Sequence, residues 1–171
     1  MLAAILTAIV LASPCVMLNP VADMGSVVII DYFRAPKCER CAGNRGIEMQ
    51  LQSGQPIFAV SDGVISYHGE VGRTKYLVLL TDNNRRITYG KIAQSTLRRG
   101  DRVLAGQQIA TSGPNLYFGV REVSGSAVRY VDPLTYLTAA RGVQGRAVLI
   151  SGASVFLIRP STGQIAGKLQ C

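Results

Sequence analysis

Few side chains in this sequence can do chemistry, and their spacing narrows what that chemistry could be. There is one histidine, His68, and there are four cysteines, Cys15, Cys38, Cys41 and Cys171. Cys38 and Cys41 form a CxxC. A redox dithiol would need a strand before it and a helix after it, whereas AGNRG follows, which reads as loop. Half of a zinc site would need a second cysteine pair, and Cys15 and Cys171 are isolated singles. A local disulfide that pins a loop is the favoured reading for an exported chain. His68 lies in SYHGEV, ahead of Gly69 at a strand end, and reads as a surface histidine. Cys38, Cys41, Cys171 and His68 would formally make a Cys3His set, but their spacing gives it no support.

The other chemistry-bearing stretch is SGPNLYFGVREV, residues 112 to 123. It reads as a strand after a Ser-Gly-Pro turn. Leu116, Phe118 and Val120 share one face by the period of two and suit a core; Asn115, Tyr117, Gly119 and Arg121 share the other. What Asn115 and Tyr117 look at is the question that this pattern raises.

The elements that would position these residues are strands. VVIIDYF, IEMQLQ, IFAVSDGVISYHG, YLVLLTDNN and RRITYGKIAQ are rich in β-branched and aromatic residues and bounded by Gly, Asp or Asn. RRGDRVLAGQQIATSG carries two further turns. No helical period is sustained there. The expected fold is all-β: a compact antiparallel domain closed as a sandwich or barrel, with short closing strands at the C-terminus. VDPLTYLTAA is the one helix-like stretch, opened by Asp132 and Pro133. Gly46 and Gly54 read as turn glycines, Asp62-Gly63 as a primed hairpin turn, and Gly100 and Gly106 as brackets of a further hairpin.

The chain has 171 residues, 48% of them hydrophobic, with a mean hydropathy of +0.24. That suits one ordinary domain with appendages and excludes a disordered chain. The net charge is +8, from 18 basic and 10 acidic residues. A solvated basic surface is the plainest reading; anionic wall polymers or lipid headgroups are the partners such a surface would suit. No nucleic-acid-binding motif accompanies the charge, which disfavours nucleic acid. MLAAILTAIVLAS is too short to span a bilayer comfortably and suits the apolar region of a secretory signal, with a cut after Ala12. No Lys or Arg precedes Arg34, so an uncleaved anchor or a buried helix are the alternatives. Pro14 argues against lipidation of Cys15. The expected organisation is 1–22 signal peptide or anchor, 23–138 β domain and 139–171 C-terminal β extension.

NRGIEM, GQPIFAVSDGVISYHGEV, RRITYGKI, LRRGDRVLAGQQIATSG, NLYFGVR and YVDPLTYL occur in an order and spacing that resemble the peptidase M23 family, the lysostaphin or LytM-type cell-wall endopeptidases. The resemblance covers about residues 43 to 137. The middle hairpins also occur in biotinyl and lipoyl carrier domains, but no lysine stands at the required hairpin tip, and the NRGIEM and NLYFGVR ends favour M23.

The resemblance implies a zinc hydrolase groove. In the family pattern the His and Asp of HxGxD bind zinc with the second His of an HLHF-like strand. The first His of that strand and one in a TYxHL-like strand assist catalysis. Here Asn44 and Glu48 take the first two ligand positions, Tyr117 the third, and Asn115 and Lys91 the catalytic ones. All five depart from the pattern. Asn is a weak donor, phenol stays protonated near neutral pH, and Lys91 would repel a dication. The implied function is a catalytically defective domain at the cell envelope with no cofactor, binding peptidoglycan or regulating a cell-wall hydrolase. The alternative is an active zinc endopeptidase with unusual ligands centred on Glu48. The same residues could instead fill the old cavity, with a Lys91–Glu48 salt link and an aromatic plug.

Overall fold

The computed structural model describes residues 17–137, except 39 and 126. Among these residues nine strands make one antiparallel sheet: β1 Val28–Asp31, β2 Ile47–Gln50, β3 Pro56–Phe58, β4 Gly63–Val71, β5 Thr74–Thr81, β6 Arg85–Gln94, β7 Arg102–Val103, β8 Gln108–Ser124 and β9 Ala127–Val131. The order across the sheet is β1-β2-β8-β6-β5-β4-β7, with β3 and β9 both paired to β8. The all-β antiparallel class is as expected, but the sheet is not closed into a barrel. Among the described residues the only helical piece is one 3-10 turn, Pro133–Thr135. Asp132 caps it: its carboxylate accepts from the Leu134 N–H at 3.0 Å.

Strand β8 is the spine. It pairs with β3 near its start, with β2 over residues 115–118, with β6 along most of its length and with β9 at its end. The expected Ser-Gly-Pro turn is therefore absent: Ser112, Gly113 and Pro114 lie inside the strand, where the β6 pairing is irregular. A Cβ at Gly113 would stand 2.8 Å from the Lys91 carbonyl oxygen, so the glycine there serves close backbone approach. Asp62-Gly63 is likewise no hairpin turn, since Gly63 opens β4 and pairs with Thr81 and Val103. The primed turn falls at Gly72 and Arg73, with φ of 56° and 67°, between β4 and β5.

Alternation assigns the core. Ile47 and Met49, Leu116, Phe118 and Val120, Ile87 and Tyr89, Leu77 and Leu79, and Ile65 are all buried on one face. Tyr89 meets Phe118 edge to face at 5.4 Å between centroids and accepts the Val60 N–H at 3.0 Å through its hydroxyl, so its polar end is satisfied inside. Met17, Val21 and Leu137 join the same cluster, and Met17 bridges to Leu137. The packed body thus reaches back to Met17, ahead of the expected boundary at residue 23. The segments 1–16 and 138–171, with Cys15, Cys171 and the expected signal and extension, lie outside the described residues. The other face of the sheet carries Glu48, Tyr117 and Lys91, where the resemblance expects a groove.

Candidate functional site

The groove face is built by register. Across the sheet, Tyr76 of β5 is opposite Gly90 of β6, Gly90 is opposite Tyr117 of β8, Tyr117 is opposite Glu48 of β2, and Glu48 is opposite Asp31 of β1. Gly90 makes this row possible: a Cβ there would lie 2.7 Å from the Tyr76 ring and 3.2 Å from the Tyr117 Cβ. Tyr117 runs along its strand rather than across the row. Its hydroxyl end covers Gly46 and Gly119, where added Cβ atoms would meet the hydroxyl oxygen at 2.9 and 3.1 Å.

Lys91 reaches this face through a backbone irregularity. Ile87 and Tyr89 point into the core, so strict alternation would send Lys91 there too. Instead the β6–β8 register shifts between Gly90 and Ile92, and Lys91 adopts a φ of 62°. A bulge of this kind re-aims one side chain without ending the strand. The Lys91 ammonium forms an ion pair with the Glu48 carboxylate, whose side chain is only 18% exposed against 42% for the lysine. Asp31 also feels the Lys91 charge. Its hydrogen bond to Arg34, with that guanidinium's charge and then that of Lys91, holds its carboxyl below the ordinary range.

Asn44 is committed to its own loop. Its amide donates to the Tyr32 carbonyl at 3.1 Å and its oxygen accepts the Gly46 N–H at 3.4 Å. The backbones of Asn44 and Arg34 exchange two hydrogen bonds. Tyr117 is pushed up to about 12 by burial first, then by neighbouring Tyr76 and Tyr130, so its phenol stays protonated near neutral pH. Asn115, opposite Gln50 and half-buried, has no side-chain partner among the described residues.

This donor set does not fit a zinc ion. Zinc hydrolases hold the metal with three nitrogen, sulfur or carboxylate donors and keep a fourth position for water. Here one carboxylate faces an ammonium, one phenol keeps its proton and one carboxamide is turned into a loop. Among the described residues no three His, Cys, Asp or Glu side chains come together as a metal cluster.

The remaining sequence candidates fall elsewhere. His68 lies inside β4, which runs on to Val71, and not at a strand end. It is half-buried, with Nδ1 2.7 Å from the Leu97 carbonyl oxygen, so that nitrogen carries the proton. Cys38 and Cys41 are joined in a disulfide, as the loop reading expects. The densest basic cluster in the sequence, Arg98, Arg99 and Arg102, lies at and just ahead of β7, at the far end of the strand order from β1, and Arg102 is paired with Asp82 at 2.7 Å.

Residues 42–133 match the description of Peptidase family M23. The chain belongs to this family. Among relatives, the M23 chain is 35% identical over 103 residues to a Pseudomonas aeruginosa protein described as a lipoprotein NlpD/LppB homolog, covering 55% of this chain and 33% of the relative. It is 31% identical over 117 residues to the Escherichia coli murein hydrolase activator NlpD, covering 64% and 29%. Helicobacter pylori Csd3 superimposes with a TM-score of 0.59 at 23% identity, over 71% of this chain and 34% of that one. The chain spans about a third of the length of these relatives. The M23 fold is therefore shared.

Sequence reasoning missed four residues on this side of the M23 domain, Asp31, Arg45, Tyr76 and Tyr130; alternation had placed Arg121 beside Tyr117 but gave it no role. Alternation around Leu77 and Leu79 would have put Tyr76 on this face, but its station over Gly90 depends on register. Arg45 depends on the disulfide loop: it donates to the Cys41 carbonyl at 3.2 Å and stacks over Tyr130 at 5.2 Å from the ring centroid.

Proposed function

We propose that this is a non-hydrolytic M23 domain of the cell envelope that regulates a cell-wall hydrolase by binding in its groove, without zinc. The observation that carries the reading is the Lys91–Glu48 ion pair. The only carboxylate at a family ligand position is already neutralised, by a lysine at a family catalytic position. A cation entering there would have to displace the ammonium and find its other ligands among an engaged amide and a protonated phenol. Water activation for amide hydrolysis has no donor set to support it.

Binding remains well served. Asn115 has an uncommitted amide, and Tyr76 and Tyr117 offer aromatic surface beside Gly90. The relatives described as a murein hydrolase activator and a lipoprotein support an envelope regulator. The 23–138 unit, extended back to Met17, would be the regulatory domain. Peptidoglycan itself is the other ligand that such a groove would suit.

The test has two measurements. Purified protein dialysed against zinc should hold far less than one equivalent, and it should leave peptidoglycan uncut while increasing digestion by a murein hydrolase. One tightly held zinc per chain, with chelator-sensitive cleavage lost on Glu48→Ala, would instead establish the active endopeptidase.

A further inference from the structure

Beyond the ion pair, on the other side of Tyr117, lies a basic pocket of about 180 Å³, lined among others by Arg45, Thr88, Tyr117, Gly119, Arg121 and Tyr130. Tyr117 is shared between the two, because its ring runs from the Glu48 row toward Gly119. Every polar side chain in the lining can donate a hydrogen bond, and none is a carboxylate.

The charge of Arg121 has no balancing acid among the described residues. Arg121 is directly opposite Arg86 on β6, and like charges in that relation repel. Neither has an acidic partner among the described residues. Among the described residues the nearby acids are engaged elsewhere: Glu122 with Arg85, Arg129 and Tyr136, and Glu48 with Lys91. Arg121 is half-buried, so its charge is incompletely solvated. Arg45 is held over Tyr130 by its stacking and by the Cys41 carbonyl, which fixes a second guanidinium in place.

We propose that this pocket receives the side-chain carboxylate of an acidic peptide segment of the partner protein, gripped by Arg121 and Arg45 while the peptide lies along the groove. The volume suits one side chain, and a planar guanidinium matches a carboxylate with two parallel hydrogen bonds. A carboxylate there would also offset the Arg86–Arg121 repulsion. The assignment of a protein partner rests on the regulatory reading above; the carboxylate preference rests on the pocket.

The probe is a capped pentapeptide of alanines with a central glutamate, compared with its glutamine counterpart by NMR titration of the full chain. The expected result is about tenfold tighter binding of the glutamate peptide, the size of one charge-assisted pair. That preference should vanish in Arg121→Gln, return in part in Arg121→Lys, weaken with added salt and persist in Arg102→Gln. Equal binding of the two peptides, binding of neither, or an unchanged preference in Arg121→Gln would overturn the proposal. So would inorganic phosphate displacing the peptide at equal or lower concentration, which would mark a generic anion site. Stimulation of a murein hydrolase, measured in parallel, separates the two readings. Stimulation without glutamate preference removes the pocket assignment alone; preference without stimulation removes the regulatory reading alone.

Discussion

Lys91 carries two opposed energies at one residue, and substitution can separate them. Its ion pair with Glu48 lies between a surface bridge and a buried one, since the carboxylate side chain is 18% exposed and the lysine 42%. A coupling of about 1 kcal/mol is expected, at the upper end for exposed pairs. Its φ of 62° is left-handed, which costs a residue with a Cβ about 1 kcal/mol relative to glycine. Lys91→Ala loses the pair, keeps the strain and leaves a half-buried carboxylate without its ammonium, so it should destabilise by about 1–2 kcal/mol. Lys91→Gly loses the pair but relieves the strain, and should recover about 1 kcal/mol of that loss. Glu48→Gln should cost less than Lys91→Ala, because Asp31 still offers the lysine a negative neighbour.

The assay is urea unfolding of the wild type, the three single variants and the Lys91→Ala/Glu48→Gln double variant. Coupling below about 0.3 kcal/mol would mean that the pair contributes nothing measurable to holding Lys91 against Glu48. Lys91→Gly no more stable than Lys91→Ala would mean that the bulge is not strained. Either result would refute the account of how Lys91 comes to face Glu48.

Two further outcomes follow from the same geometry. Tyr117 titrates at about 12 in the folded chain against 10.0 as a free phenol. Its raised value gives stability that is fully present below pH 10 and is lost as pH rises through about 12; its partial exposure limits this to about 2 kcal/mol. Denaturant unfolding between pH 9 and 12 should therefore show a steeper alkaline loss in the wild type than in Tyr117→Phe, and parallel profiles would refute the burial argument. Opening the Cys38–Cys41 bridge by Cys38→Ser and Cys41→Ser should weaken the glutamate-peptide preference several-fold, because the Cys41 carbonyl that steadies Arg45 is no longer fixed. A loop this short contributes about 2 kcal/mol or less of stability, so the domain should still melt cooperatively; an unchanged preference would show that Arg45 is positioned without the disulfide.

Much of the scaffold was legible. Leu116, Phe118 and Val120 face the core as alternation requires, and the Asp132-Pro133 start does open a short helical turn. The errors came from local signals overruled by pairing. Ser-Gly-Pro looks like a turn, yet β6 and β3 hold its surroundings extended. Asp62-Gly63 looks like a hairpin, yet Gly63 is there because the Leu80 carbonyl oxygen would stand 2.3 Å from a Cβ. Glycine supplies both positive φ and close approach, and a sequence does not distinguish the two uses.

By itself, the sequence determined that the chain has a single histidine, His68, and that one face of the 112–123 strand is apolar with period two. Side-chain chemistry and strand alternation are local, so both could be read from residue types. Only the tertiary structure decided that Lys91 turns out of the core, that Glu48 is its partner, and that Arg45, Arg121 and Tyr130 share a pocket. Those relations depend on a one-residue bulge and on register between strands distant in the chain. A shift of one residue in either would send the same side chains to opposite faces of the sheet.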